Sequence, residues 1–470
     1  LFLFFKPSLV QKEQGALSKC YHYDYYFTQT QTDMQAIANI PQTEKERVVI
    51  LGGGFAGLRL ARKLSKKNFQ VILLDRNNFH AFQPLFYQVA TSGLEPAAIA
   101  FPLRKVFQKQ NHVHIRIAEI LEVDPERQIV LTNIGYLSYH HLVMALGADT
   151  NYFGNENIRR HAISMKSLNE AIGLRNKILD NYELALNELD EERASSMMNV
   201  VIVGAGPTGV ELAGALAEMK RFILPKDYPE LDFSRMRVQL LEAAPVVLPG
   251  YAEQSSKRAE KYLKKLGVEV FTNTLVEDYD GETVRLKDAE ALSTHTLIWA
   301  AGVRANSVEG LPEYVYGKNN RLIVDRYNQV KGLEHIYAIG DMAYMETANF
   351  PKGHPQVAQT ALQQANNLFV NLVRQKSEKP LRPFTYQDKG AMATIGRNLA
   401  VADLPANIRL AGTPAWLLWL FIHLMALVGV KNRLFVFINW AINYFTYDQS
   451  LRLLIRPQSK IEQADILEEV

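Results

Sequence analysis

Two glycine clusters of the same design carry the chemistry legible in this chain. Residues 52–57 read Gly-Gly-Gly-Phe-Ala-Gly and residues 204–209 read Gly-Ala-Gly-Pro-Thr-Gly, about 150 residues apart. Each follows an apolar, β-branched run, ending at Leu51 in the first copy and at Val203 in the second. In such a G-x-G-x-x-G turn the first glycine (Gly52, Gly204) permits a tight bend. The second (Gly54, Gly206) lets backbone N–H groups approach a pyrophosphate, and the third (Gly57, Gly209) lets helix and strand pack closely. Phe55 and Ala56 complete the first loop, and Thr208 belongs to the second. A phosphate there meets the positive end of a helix dipole. A carboxylate closes the next apolar run of each unit: Asp75 after residues 70–74, with Arg76 beside it, and Glu242 after residues 238–241. In that place it accepts hydrogen bonds from ribose hydroxyls, each worth roughly 1.5–3 kcal/mol. It also repels a 2′-phosphate, and Ala243, Ala244 and Pro245 supply no arginine to receive one. The second nucleotide therefore reads as NADH rather than NADPH. Two adenine dinucleotides in one molecule imply electron transfer between them. The alternative is a pair of ordinary strand-to-helix turns in a parallel sheet.

The elements needed to position these loops are present. Leu58, Leu60, Ala61 and Leu64 follow the first loop at helical spacing, and Leu212, Ala215 and Leu216 follow the second. The repeat extends further: residues 141–147 and residues 296–302 are both apolar strands closing on glycine, Gly147 and Gly302. Residues 79–90 are expected as a loop, residues 167–193 as a helical run, residues 356–370 as a helix, and residues 384–386 and 391–395 as short strands. The expected fold class is α/β, with two Rossmann-like dinucleotide-binding domains and a helical C-terminal region. The first domain is discontinuous (46–165 and 316–375), the second is inserted at 166–315, and the C-terminal domain takes 376–470.

At 470 residues the length prior is about three domains. A net charge of +3 and no basic arm argue against a nucleic-acid partner. The single cysteine, Cys20, excludes an internal disulfide, a redox-active cysteine pair, a Cys-ligated iron–sulfur cluster and a Cys-rich zinc site. No metal site is expected. Electrons must pass directly to a small acceptor. Residues 1–45 are expected as a leader outside the fold. Residues 1–33, which open with Leu1 and precede the first methionine, Met34, read as an artefact of start-site choice or a disordered leader. No export signal is visible, which fits a reducing, cytoplasmic-side protein.

The tail differs in kind. Residues 416–430 read WLLWLFIHLMALVGV, without a charge. As a helix this run spans ~22 Å, short of a ~30 Å hydrocarbon core. Its apolar residues favour insertion by roughly 3–5 kcal/mol, enough to hold a surface and poor for spanning. Lys431 and Arg433 follow, then a second aromatic-rich stretch, then Arg452 and Arg456. That pattern suits the headgroup layer of a membrane. The alternative is a buried helical hairpin or a dimer interface.

Several longer motifs resemble one family from about Glu46 to about Pro457. They are residues 52–58, 82–91 (Phe-Gln-Pro-Leu-Phe-Tyr-Gln-Val-Ala-Thr), 204–214, 300–304, 337–343 and 358–361 (Ala-Gln-Thr-Ala). The chain is similar to the type II NADH:quinone oxidoreductases, single-subunit respiratory enzymes that do not pump protons. The resemblance implies FAD at the first site, NADH at the second, a quinone substrate and a homodimer. It also implies a peripheral place on the cytoplasmic face of a bacterial inner membrane, or on the mitochondrial inner membrane in a eukaryote. By the same resemblance Gly340 and Asp341 form a second flavin motif, with a helix N-cap as the alternative role for Asp341. Gln359 sits at the quinone end of the flavin, or is simply polar on a helix face. Glu211 lies near the flavin and the proton route, or answers a helix dipole. Lys389 is flavin-proximal, or a surface lysine. Gln83 and His80 line the flavin, with a core histidine as the alternative for His80. Gly302 is placed with the nucleotide site, and His423 faces the quinone only on the weakest reading.

Overall fold

The computed structural model describes residues 35–446 and 451–454. The expectations for residues 1–33, Cys20 and Arg456 fall outside the described residues. Residues 35–45, expected as leader, pack onto the first nucleotide unit. Ile37 is buried, Gln70 donates to the carbonyl of Pro41 at 2.7 Å, and Arg116 donates to those of Ala38 and Asn39, each at 3.0 Å.

The fold is α/β and built on two parallel sheets of matching design. In the first, the order is Ile336–Ala338, His141–Met144, Arg47–Leu51, Gln70–Asp75, Val113–Ile117. All of its pairings are parallel. In the second, the order is Thr296–Trp299, Val200–Val203, Val238–Leu241, Glu269–Phe271, again parallel throughout. The glycine-loop strand is interior in both. Its residues are buried from end to end, which is why both runs read as continuous β-branched apolar sequence. The strand Ile336–Ala338 returns to the first sheet after the second unit is complete. The segments Ala148–Thr150 and Val303–Ala305, each just beyond a crossover strand, pair antiparallel with one another.

Three expectations need correcting. Residues 79–90 are not a loop: they form the short strand Phe79–Ala81, a single turn, and the helix Phe86–Ala90, whose Phe86, Val89 and Ala90 are buried. Residues 167–193 hold two helices, Leu168–Ala185 and Glu191–Met198. The break has a chemical cause, because the Asp190 carboxylate accepts from the N–H groups of Glu192 and Arg193 and so starts a new helix. Residues 384–386 form no strand. The N–H of Phe384 donates to Arg326 O at 2.7 Å and the Arg326 guanidinium returns a bond to Phe384 O, a closed local exchange.

Beyond the nucleotide units, three antiparallel strands, Ala391–Gly396, Leu399–Leu404 and Ile408–Ala411, pack on the helix Pro207–Phe222. Gly214 makes this approach possible, since a Cβ there would lie 1.6 Å from the carbonyl oxygen of Ile395. The tail then forms two helices, Thr413–Ala426 and Val430–Thr446. The apolar run at 416–430 is thus interrupted after Ala426. Gly429 takes a φ of +87°, and a Cβ on it would lie 2.5 Å from the Phe101 ring. Among the described residues no helix is long and apolar enough to cross a membrane.

Replacing Gly214 with alanine should force this strand and helix apart. The expected cost is about 1–3 kcal/mol, the usual range for overpacking, read as a lower midpoint in urea unfolding of the protein. An unchanged midpoint would show that the two elements are not in backbone contact.

Candidate active site

Each glycine loop is clamped at both ends and open in its middle. Gly52 and Gly204 adopt φ values of +101° and +102°. A Cβ on Gly57 or Gly209 would sit 1.9 Å from the carbonyl oxygen of Gly52 or Gly204. At Gly54 and Gly206, by contrast, a Cβ would meet nothing within 4 Å. The helices that follow, Phe55–Leu64 and Pro207–Phe222, have no side-chain cap. Their first-turn N–H groups, orphaned in any helix, are left facing the open centre of the loop. A pyrophosphate is the group this arrangement fits.

The two acids do the same work in both copies. Asp75 accepts from the N–H of Gly53 and of Asn77, each at 2.6 Å. Glu242 accepts from Ala205 at 2.6 Å and Ala244 at 2.8 Å. Each carboxylate therefore braces its glycine loop, and its remaining lone pairs stay available to a ribose. Burial pushes the Asp75 carboxyl up from its usual range, while the two N–H groups and Arg76 pull it back. Thr208 and Arg76 are exposed. His80 is a core histidine: it is buried, its Nδ1 lies 3.0 Å from Gly53 O, and its ring meets Phe55 edge-on at 5.3 Å. Burial lowers its pKa and keeps the ring neutral. Gln83 is exposed, with its amide 3.5 Å from Lys166 O. Gly302, at φ +148°, packs under the Phe153 ring beyond the crossover strand.

Gly340 and Asp341, expected as a second flavin motif, lie on a short helical turn, Gly340–Met342, that runs into the strand Ala343–Tyr344. Asp341 is therefore not a helix N-cap. Burial pushes its carboxyl up, and Lys166 and Arg321 pull it down. Burial lowers the Lys166 ammonium in turn, against the pull of Asp341, Asp149 and Glu170. Gly340 donates to Gln364 Oε1 at 2.8 Å. The Nε2 of Gln364 is buried and has no partner among the described residues. A donor left over beside the open loops fits a bound group with acceptor atoms. Sequence reading missed Lys166 and Gln364, neither of which stands out by type or spacing.

The three candidate catalytic residues come from different elements and are brought to one segment, residues 388–394. Gln359, the second residue of the helix Ala358–Gln375, donates to Gly390 O at 3.2 Å and Asp388 Oδ1 at 3.4 Å. It accepts from the backbone N–H of Lys389 at 3.0 Å. The Lys389 side chain is exposed. Glu211 is bonded to Thr394, on the strand Ala391–Gly396 and five residues after Lys389 in the chain. It is the fifth residue of its helix, beyond the first turn where a carboxylate answers the dipole. Only 8% of it is exposed. Its Oε1 accepts from Trp419 Nε1 at 3.1 Å and from Thr394 N at 3.4 Å. Burial raises its pKa to about 8, with those two donors opposing. Trp419 comes from the first tail helix and stacks on His423, ring centroids 4.0 Å apart. His423 turns its Nδ1 to Trp419 O at 2.8 Å, and burial takes its pKa to about 4. Trp419 is the third residue that sequence reading missed, since it was counted only as part of an apolar run.

Comparison with known proteins places this geometry. The family model described as pyridine nucleotide-disulphide oxidoreductase matches residues 46–365, and one described as NDH2 C-terminal domain matches residues 389–447. The fold and the paired cradles are those of a two-dinucleotide oxidoreductase. Within that class, the type II NADH:quinone oxidoreductase Ndh of Mycobacterium tuberculosis is 35% identical over 422 residues, 86% of this chain and 89% of the relative. The external alternative NADH-ubiquinone oxidoreductase of Yarrowia lipolytica mitochondria is 28% identical, covering 84% of this chain and 79% of the relative. The solved structure of NDH2 from Plasmodium falciparum in complex with NADH covers 88% of this chain and all of the other, with a TM-score of 0.80 at 23% identity. The chain belongs to the type II NADH:quinone oxidoreductases, and its activity is NADH:quinone oxidoreduction.

Glu211 makes stability depend on pH in a stated direction. Its folded pKa of about 8 lies above the unfolded value of about 4.3. The folded state therefore binds the extra proton, and this contribution is fully present below the unfolded pKa and lost as pH rises toward 8. Wild-type protein should lose melting temperature between pH 5 and pH 8 relative to Glu211→Gln. Parallel curves for the two proteins would mean that the carboxylate is ionised in the fold.

Proposed function

We propose that NADH binds at the second glycine loop and FAD at the first, and that a membrane quinone is reduced without proton pumping. Held in the first cradle, FAD would supply hydride-accepting, two-electron chemistry between a nicotinamide and a quinone, the quinone also taking up two protons. The observation that carries this reading is the duplicated cradle: an open central glycine, an uncapped helix start and a bracing acid, twice. Gly52, Gly54, Phe55, Ala56, Gly57, Asp75 and Arg76 form the FAD cradle, with Gly340, Asp341, Gln364 and Lys166 along its length and Gln83 at its edge. Gly204, Gly206, Thr208, Gly209, Glu242 and Gly302 form the NADH cradle. Glu242 selects NADH by repelling a 2′-phosphate.

At the quinone end, Gln359 offers an amide N–H to a carbonyl oxygen, and Lys389 supplies charge from the adjacent loop. Glu211 holds a proton on its carboxyl near neutral pH, out of bulk water, and serves the proton demand of quinone reduction. The tail helices rest on the surface of a respiratory membrane. They keep Trp419, Ala415 and Val436 inside and present Leu417, Phe421, Phe437 and Phe445 outside. The expected homodimer and the choice of membrane belong to this same proposal. A sulfide:quinone oxidoreductase from Aquifex aeolicus shares the fold with a TM-score of 0.66 at 19% identity. Chemistry that relies on cysteines is not open to residues 21–470, which contain none.

Two measurements test this reading. Under anaerobic conditions NADH should bleach the flavin band of the purified protein, and an added short-chain quinone should restore it. Material that stays colourless after FAD is supplied overturns the proposal. Glu242→Arg should lower the ratio of kcat/KM for NADH over NADPH by at least tenfold, the loss of one charge-assisted bond. An unchanged ratio would remove the ribose role.

A further inference from the structure

A cavity of about 460 Å³ lies between the second tail helix, the segment 95–105 and residues Asn78 and Phe79, a few residues past Asp75 of the first cradle. We propose that it binds the phosphate of an anionic phospholipid headgroup. This deepens the membrane reading above and rests on it.

Two cations define the cavity. Lys105 lines it from the first nucleotide unit and Lys431 from the tail helix. Each ammonium stands over a ring in the same wall, Lys105 Nζ 5.8 Å from the centroid of Phe101 and Lys431 Nζ 5.3 Å from that of Phe435. Contacts of this kind hold a flexible lysine head in place while leaving its N–H donors free. Both lysines are exposed, and neither joins an ion pair among the described residues. Glu95 also lines the cavity, so the balance is two cations to one carboxylate.

The spacing of the two walls is fixed by Asn432. Its Nδ2 donates to Ala98 O at 3.0 Å and Ala100 O at 3.1 Å, pinning the tail helix to the segment that carries Lys105. The cavity is also continuous with apolar surface. Phe435 lines it and is itself 50% exposed, on the helix that presents other unpartnered apolar side chains to solvent. A free phosphate would have no use for that rim. A phospholipid places its phosphate between the lysines and its acyl chains along the exposed face, so both halves of the surface are used.

The test compares vesicles of phosphatidylcholine alone with vesicles containing phosphatidylglycerol, using the full flavin-loaded protein. Wild type should bind both, and the anionic ones more tightly. Lys105→Gln/Lys431→Gln should lose roughly ten- to thirtyfold in partitioning to the anionic vesicles, at about fivefold per lysine, and nothing on phosphatidylcholine. Turnover of NADH with a water-soluble quinone should match wild type and reports that the variant is folded. The charge-matched control Lys66→Gln/Lys67→Gln, on exposed residues after the first glycine-loop helix, should keep most of the anionic preference. An equal loss in that control means diffuse attraction and overturns the site, as does an equal loss on both vesicle types. Inorganic phosphate at millimolar concentration should not displace the protein; displacement would assign the cavity to the free ion instead. Failure of wild type to bind any vesicle would instead sink the membrane reading itself.

Discussion

Backbone pressed against backbone at a glycine governs this molecule. At Gly57 over Gly52, and again at Gly209 over Gly204, a helix start lies so close to a strand end that no side chain fits between them. That approach aims the first N–H groups of each helix into an open loop. It also fixes where each bracing acid, Asp75 or Glu242, can reach the loop. A third contact of this kind, Gly214 on Ile395 O, brings the C-terminal sheet onto the second nucleotide helix. Glu211 sits one helical turn before Gly214, so the same contact buries it. Cofactor cradles and the buried carboxylate thus depend on three places where a Cβ is forbidden.

Much of this was legible in the residues. The paired loops, the two acids, the crossover strands and the α/β class follow from short patterns with one steric solution. The 79–90 segment and the helical run at 167–193 were misread because short local features decided them. Phe86, Val89 and Ala90 form an apolar face too short to stand out, and Asp190 ends one helical register by capping the next. The tail was legible in composition and not in geometry. Its apolar run gives no sign that Gly429 must turn away from Phe101, and so that two short helices replace one.

The site residues divide on the same line. Gln359 and Lys389 are joined through a backbone N–H, a link no spacing rule contains. His80 and His423 look alike in sequence as chemically able groups. Both are neutral, His80 buried and propping a glycine loop, His423 half-buried and backing a tryptophan. Lys166 and Gln364 acquire meaning only from the turn at Asp341.

The indole N–H on Glu211 belongs to the first of the two tail helices, and the neighbouring Trp440 of the second reaches Gln88 Oε1 at 2.7 Å. The surface proposed to meet the bilayer and the solvation of the buried acid are therefore one continuous piece of structure. A version without the tail helices is not the same molecule merely shortened. Shorn of the tryptophan, the acid would face water and ionise at lower pH.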